Sequence, residues 1–373
     1  MSAAHTGWRM PADFEPQECT WMFWPNQQHH LRYTLKYERT FLELAAALKR
    51  YELVRICACD DAQVEHIEHQ LDYLGLGLDN IEIFVIPTND IWVCDSGPLV
   101  VLNEQGERAI ANFQFNGWGG RYSSNLDNEI PRLVAERLGI PLLDAKTTVE
   151  TGFEVNGTGS LLITRTSVLN PNRNPQLNQK DVEAEFRDLL GVTNTIWISG
   201  MDGNDPVLGP EETDCHIDLL CRFVNEDTVL YGWHDQFDAS DPAQQRVFAV
   251  MLDQLRNARN EADRPLNLVP VPAPKNAVYS TNSTAAVGHI TKTGRGVLGA
   301  CGPNMWYSGY MDWHVANGVV VLPILGDEND ERAAAIIGEH FPERDIVCID
   351  GRTIMEGGGG FHCITKPQAA LPA

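Results

Sequence analysis

The sequence predicts an α/β fold of about five β-β-α-β units, carried in one domain over residues 1–373. Three observations predict it. Apolar residues at helical spacing alternate with short apolar runs along the whole chain, paired strands recur around turn signals, and no composition break interrupts the alternation. In chain order, Tyr37, Phe41, Leu44, Ala45 and Leu48 predict a helix over 34–50, and the strand-like ELVRICAC follows at once. Asp60 has the chemistry of an N-cap for a second helix over 61–75, ahead of a strand IEIFVIP at 81–87. Further helices are expected near 124–138, 178–190, 241–258 and 330–340, with short apolar stretches such as TNTIWIS, LNLVPVP or DIVCID after them. Hairpins are expected at VETGFEV–NGTG–SLLIT, where Asn156-Gly157 sits in the turn, and at CRFV–NED–TVLYGW.

With 373 residues and 43% hydrophobic content the chain can bury a large core. The formal net charge of −23 repels nucleic acid and anionic membrane and favours cationic small molecules on approach, although it also simply keeps a protein soluble. No apolar run is long enough to span a bilayer, and MSAAHTGWRM lacks the apolar stretch of a secretory signal. The nine cysteines follow no pattern, as expected for reduced thiols, so the expected compartment is the cytoplasm.

Four segments concentrate chemistry. EGGGGFHC (356–363) runs four glycines into His362-Cys363, a setting in which backbone can approach a ligand and a thiol can be presented in a pocket, or in which Cys363 is merely structural. EETDCHID (211–218) opens a strand-like run; in a strand, His216 and Asp218 would share one face, as an acid/base beside a carboxylate or as a solvated acidic edge. TNDIWVCDSGP (88–98) brings Asp90, Trp92 and Asp95 into a loop after a strand, for ligand contact or as a turn with a packed indole. VETGFE (149–154) offers Glu150 as a third carboxylate or as a strand-edge charge. If 361–364 is extended, His362 points away from Cys363 and is expected to be packed.

Taken together, MPADFEPQECTWMFWP (10–25), NDIWVCDSGP (89–98), FNGWGG (115–120), LNPNRNP (169–175), ETDCHID (212–218), ANGVVVLP (316–323) and GGGGFHCIT (357–365) resemble the agmatine deiminase / bacterial peptidylarginine deiminase family over nearly the whole chain. The resemblance implies the pentein fold, a five-bladed pseudo-symmetric α/β propeller with the site at its centre, and neither a metal nor an organic cofactor. It implies Cys363 as nucleophile, His216 as general acid/base, Asp95 and Asp218 as the carboxylates gripping a guanidinium, and Glu150 as support for the histidine and the leaving nitrogen. Trp92 matches a tryptophan beside the substrate, and Asp90, Glu212, Trp118 and Gly359 are the further substrate contacts expected from these motifs. Glu211, Glu212 and Asp312 are candidates to meet the far end of the substrate.

The activity so implied is hydrolysis of agmatine to N-carbamoylputrescine and ammonia, a putrescine-forming step, through a thiouronium on Cys363. The implied partner is a small cationic guanidino substrate, with a homodimer or higher oligomer and no nucleic acid or membrane. Four departures keep other readings open, the first being Gly360-Phe361 where the family has Asn-Ile before the His-Cys pair. Cys94 stands where the family commonly has arginine, Cys215 where it has glycine, and Thr151 replaces the first glycine after Glu150. The alternatives are deimination or amidino transfer on another guanidino compound, arginine in peptides included, and a scaffold that binds guanidines without turnover.

Overall fold

The computed structural model describes residues 7–26, 34–200, 213–233, 248–275 and 309–372. Among the described residues seventeen strands form five separate sheets. The N-terminal part supplies β1 (Trp8–Arg9), β2 (Gln17–Phe23), β3 (Leu53–Ala58) and β4 (Ile81–Val85). Then follow β5 (Leu99–Asn103), β6 (Arg108–Gln114), β7 (Leu142–Thr148), β8 (Glu154–Val155), β9 (Ser160–Thr164) and β10 (Asn194–Ile198). The remaining strands are β11 (Cys221–Phe223), β12 (Thr228–Trp233), β13 (Asn267–Pro272), β14 (His314–Ala316), β15 (Val319–Ile324), β16 (Asp345–Asp350) and β17 (Lys366–Ala369).

One pattern repeats five times. An antiparallel pair is followed by a helix and a strand parallel to the second member: β17-β2-β3, β5-β6-β7, β8-β9-β10, β11-β12-β13 and β14-β15-β16. A parallel return needs a crossover, and a helix on the sheet face supplies it. The five helices are Thr34–Leu48, Ile130–Leu138, Gln179–Leu190, Val250–Asn257 and Asp330–Glu339. Each packs against a neighbouring sheet as well as its own neighbourhood: 34–48 reaches β15 and β16, 130–138 covers Trp21 and Phe23, 179–190 reaches β1 and β7, 250–257 reaches β10, and 330–339 reaches β13. This common offset closes a ring of blades, with C-terminal β17 completing the sheet begun by β2. The result is the pentein propeller, five ββαβ units around a centre.

Local chemistry explains the elements. Phe41, Leu44 and Leu48 are fully buried against Met22, Ile56, Val319 and Val321, each worth about 1.5–3 kcal/mol of apolar transfer. Asp60 caps the extra helix Asp61–Tyr73 by accepting from Gln63 N. Asn178 and Asp181 form a capping box at helix 179–190, and Gly191 ends it in the left-handed region. In the β8–β9 turn Gly157 has φ +76°, while Asn156 Oδ1 accepts from Ser160 N at 2.8 Å.

Four sequence expectations change. Helix 124–138 begins only at Ile130, after a 3₁₀ turn over Asp127–Glu129. Part of the helix expected over 241–258 lies outside the described residues, and its helical segment is Val250–Asn257. The strand expected from Val149 starts only at Glu154. His216 and Asp218 lie in a loop ahead of β11, because Asp214 (φ 57°) and Cys215 (φ 73°) take left-handed conformations that no strand accommodates. Among the described residues no helix is long and apolar enough to cross a membrane, and every described cysteine is free.

Candidate active site

Repetition of the blade brings the chemistry together. Asp95, Glu150, the pair His216 and Asp218, Asp312, and Cys363 each lie within five residues of the first strand of a blade: β5, β8, β11, β14 and β17. Four of these segments are stitched by backbone hydrogen bonds from Cys94 N to Cys363 O (3.1 Å), Thr151 N to Asp95 O (3.2 Å) and His362 N to Asp312 O (3.1 Å), and the fifth joins them through His216, near Asp95 and Glu150. Lys366, buried at the start of β17, ties two of them further, donating to Thr151 O (2.8 Å) and Cys94 O (3.2 Å).

The thiol sits against glycine for a steric reason. A β-carbon at Gly359 would lie 2.6 Å from the Trp92 ring and 2.9 Å from Cys363 Sγ. Only glycine lets the half-buried indole and the thiol face each other across this backbone. Residues 361–364 form turns, not an extended strand. Asp312 Oδ1 accepts from Cys363 N at 3.1 Å, its Oδ2 accepts from Gly360 N, and the thiol donates to that same Oδ2 at 3.2 Å. Asp312 is therefore not at the far end of a substrate; it is fully buried and committed to the nucleophile's loop. Burial first, then the charges of Asp312, Asp218 and Asp95, push the Cys363 thiol well above its ordinary range. Asp312→Asn should therefore make Cys363 alkylate faster with iodoacetamide at neutral pH in the substrate-free protein, by about tenfold per unit of pKa regained. An unchanged or slower rate would show that Asp312 does not hold the proton there.

Opposite the thiol, two carboxylates converge on Gly152, where an added β-carbon would lie 3.3 Å from both Asp95 Oδ1 and Asp218 Oδ2. Asp95 Oδ2 accepts from Trp118 Nε1 at 2.9 Å, and Asp218 Oδ2 accepts from His362 Nδ1 at 2.7 Å. The second oxygen of each, Oδ1, is buried and has no hydrogen-bond partner among the described residues, and the same holds for His216 Nε2. His216 Nδ1 lies 3.6 Å from Asp95 Oδ1, and Nε2 lies 3.7 Å from Glu150 Oε2. Burial opposes the imidazolium, but Asp95, Glu150 and Asp218 outweigh it and raise His216 to about 10. Burial, with Asp218 and Glu150 nearby, raises Asp95 to about 6.

Behind Glu150 stands a network that sequence reading missed. Arg173 Nε donates to Glu150 at 3.0 Å, and its Nη1 pairs with Asp214, which Arg121 also grips at 2.8 and 3.0 Å. Burial raises the Glu150 carboxyl, yet Arg173 and His216 more than offset this and hold it below the ordinary range. The left-handed turn at Asp214 and Cys215 lets Asp214 face the arginines while His216 faces the site. Arg173 lies inside LNPNRNP, so the motif was visible, but its partner is 41 residues away. A second buried group joins His362 to Asp218, Asp13 and Glu154, with Cys94 Sγ 3.6 Å from His362 Nδ1. The trios Cys94–Asp218–His362 and Asp13–Glu154–His362 bring ligand-type atoms within 4.8 Å. Both depend on His362, whose two ring nitrogens already face Asp218 and Asp13.

Residues 9–368 match the family described as Porphyromonas-type peptidyl-arginine deiminase. The chain belongs to this family. It is 34% identical to the agmatine deiminase of Pseudomonas aeruginosa (strain UCBPP-PA14) over 375 residues, covering 98% of this chain and 96% of that protein. It is 33% identical to the agmatine deiminase of Pseudomonas syringae pv. tomato, with the same coverage. The solved agmatine deiminase of Enterococcus faecalis superposes with a TM-score of 0.81 at 26% identity, over 97% of this chain and 96% of that one. The hydrolase reading and the pentein fold stand on these likenesses together with the five-sheet topology.

Of the residues expected at the family's site, Cys363, His216, Asp95, Asp218 and Glu150 lie together, with Trp92 and Gly359 against the thiol. Trp118 is buried and holds Asp95 through its indole N–H. Asp90 is half-buried, its Oδ1 accepting from Ile91 N at 2.8 Å, and it faces Asp127, whose carboxyl burial and Asp90 raise to about 8. Glu211 and Glu212 lie outside the described residues.

Proposed function

We propose that the chain hydrolyses a small guanidino cation, agmatine first, to the ureido product N-carbamoylputrescine and ammonia, and that residues 1–373 act as one catalytic domain. One observation carries the reading: Asp95 and Asp218 both reach Gly152, Asp218 beside the Cys363 thiol, and each keeps one buried oxygen, Oδ1, with no hydrogen-bond partner among the described residues. A planar guanidinium offers paired N–H donors to such acceptors. Held in that plane, its carbon is open to Cys363 from one face, packed by Trp92.

The steps follow from charge. The resting thiol is protonated. A bound guanidinium offsets the negative charge of Asp95 and Asp218 and so favours the thiolate, the thiol passing its proton to Asp312 Oδ2, its hydrogen-bond acceptor. Sulfur attacks the central carbon and forms a C–S bond. The tetrahedral adduct expels one nitrogen, to which His216 gives a proton, so ammonia leaves and a thiouronium stays on Cys363. Neutral His216 then takes a proton from water, the hydroxide adds to the same carbon, and the C–S bond breaks; the adduct's O–H proton leaves to solvent as the urea departs, and the thiolate regains its proton from Asp312. Glu150, anchored by Arg173, keeps the imidazolium favoured at the start of each cycle. No step calls on a metal or an organic cofactor.

Agmatine is preferred over arginine because the nearby cations are committed. Arg121 and Arg173 serve Asp214 and Glu150, and Lys366 serves backbone oxygens, which leaves a substrate carboxylate without a counter-ion among them. Ammonia release over a panel of guanidino compounds should favour agmatine over free arginine by more than about tenfold, or ~1.4 kcal/mol. Equal rates would overturn the tail preference; faster reaction on arginine in peptides would move the assignment to that substrate. The proposed setting is the cytoplasm, as a homodimer or higher oligomer. Exposed Tyr73, Leu74, Leu78 and Val85 on and beside β4 and its helix are apolar surface for such contact, and sedimentation at micromolar protein as a monomer would rule it out.

A further inference from the structure

We propose that His362, clamped between Asp218 and Asp13, is a positioning residue that fixes the Asp218 carboxylate with its Oδ1 toward the guanidinium. The proposal rests on the reading that Asp218 binds the substrate. It changes the role of a histidine that sequence alone assigns to packing.

The geometry is a ladder of alternating charge. Arg222, fully buried, donates from Nε to Glu154 at 2.6 Å and from Nη2 to Asp13 at 2.9 Å. His362 Nε2 lies 3.2 Å from Asp13 Oδ2 and 3.8 Å from Glu154 Oε1. On its other side Nδ1 lies 2.7 Å from Asp218 Oδ2. Both ring nitrogens thus face carboxylates. A neutral imidazole would turn a lone pair toward one of them, so the ring is held as the doubly donating imidazolium. A ring bonded at both ends cannot turn without breaking one bond.

Asp218 needs such a partner. Its carboxylate is fully buried, and apart from a 4.0 Å contact with the Cys363 thiol its side chain has no hydrogen-bond partner among the described residues but His362. Asp95 is different, held by the neutral indole N–H of Trp118. One carboxylate of the pair is therefore locked as an anion by a cation, and the other is left able to titrate. The lock sets where Oδ1 lies, and a guanidinium grip depends on that placement to within about half an ångström.

Two amide substitutions separate the ends of the ring. The Asn nitrogen reaches about as far as Nδ1 and can still donate to Asp218, whereas the longer Gln reaches toward Asp13 in place of Nε2. In a Cys363→Ser background, calorimetry should show His362→Gln weakening agmatine binding at least about tenfold, with His362→Asn within about threefold of its parent. With Cys363 present, His362→Gln should raise KM by a similar factor and leave kcat within about threefold. A purely structural histidine would not split KM from kcat, nor rank Asn above Gln. The proposal falls if His362→Gln binds agmatine like its parent, or if the Asn variant loses as much as the Gln variant. Should the Gln variant fail to fold, the Asn variant decides alone, and a tenfold loss there overturns the proposal. Asp218→Asn tests the underlying reading: unchanged agmatine binding sinks both, whereas weakened binding beside a neutral His362→Gln sinks this proposal only.

Discussion

Cys363→Ala should lower ammonia release from agmatine by at least about 10⁴-fold while agmatine still binds. The reason lies in how the site divides its work. On the proposed reading binding rests on Asp95 and Asp218, whose Oδ2 atoms are bonded to Trp118 and His362. On the same reading bond making rests on one sulfur. Among the other described cysteines, Cys94 stands nearest in the site, but its sulfur faces the His362 ring at 3.6 Å and burial raises its pKa. It is not presented beside Trp92 and Gly359, as Cys363 is. Cys363→Ser should behave almost like alanine, because a hydroxyl beside the Asp312 carboxylate has still less tendency to ionise. Turnover within tenfold of the parent in Cys363→Ala, beyond what contaminating enzyme explains, would refute the nucleophile.

His216→Gln should leave the agmatine Kd within about threefold and reduce kcat by roughly 10³-fold or more, since both half-reactions lose their proton carrier. The parent's pH profile of kcat/KM should be bell-shaped, and the sign of each limb follows from the charges needed. Asp95 must be an anion to bind the cation, and its carboxyl is raised to about 6, so activity is lost as pH falls through that region. His216 must start as the imidazolium, and it is held at about 10, so activity is lost as pH rises through that region. In His216→Gln the residual rate should lack the alkaline limb. If the variant kept the parent's full bell and kcat, the acid/base assignment would belong elsewhere.

Much of this was legible in the sequence where local chemistry decides. The helical spacing of Phe41, Leu44 and Leu48, the cap at Asp60 and the Asn156-Gly157 turn each behave as their residue types dictate. The motifs named residues that the fold brings together, Cys363, His216, Asp95, Asp218 and Glu150. What the sequence hid depends on distant partners. VETGFEV reads as one strand, yet residues 149–153 leave the sheet to carry Glu150 to Arg173. ETDCHID reads as a strand opening, yet Asp214 and Cys215 turn left-handed under the pull of two arginines on Asp214. Cys215 occupies that conformation where the family has glycine, so the departure keeps the turn at the expense of backbone strain. Asp312 carries no motif of its own. Its role emerges only when the fifth blade is aligned with the other four, because it precedes β14 as Asp95 precedes β5. His362 is packed, as expected, but its orientation follows from the turn at 361–364, which no periodicity reveals.

The most direct test of the whole account is mass spectrometry of protein quenched in acid during turnover of agmatine. The account predicts a covalent adduct equal to agmatine less ammonia, confined on peptide mapping to Cys363, appearing with the first burst of ammonia and disappearing as substrate is exhausted. His216→Gln, which has lost the group that protonates the leaving nitrogen, should form it far more slowly. Steady ammonia release with no such adduct on Cys363, or with the adduct on another cysteine, would contradict it.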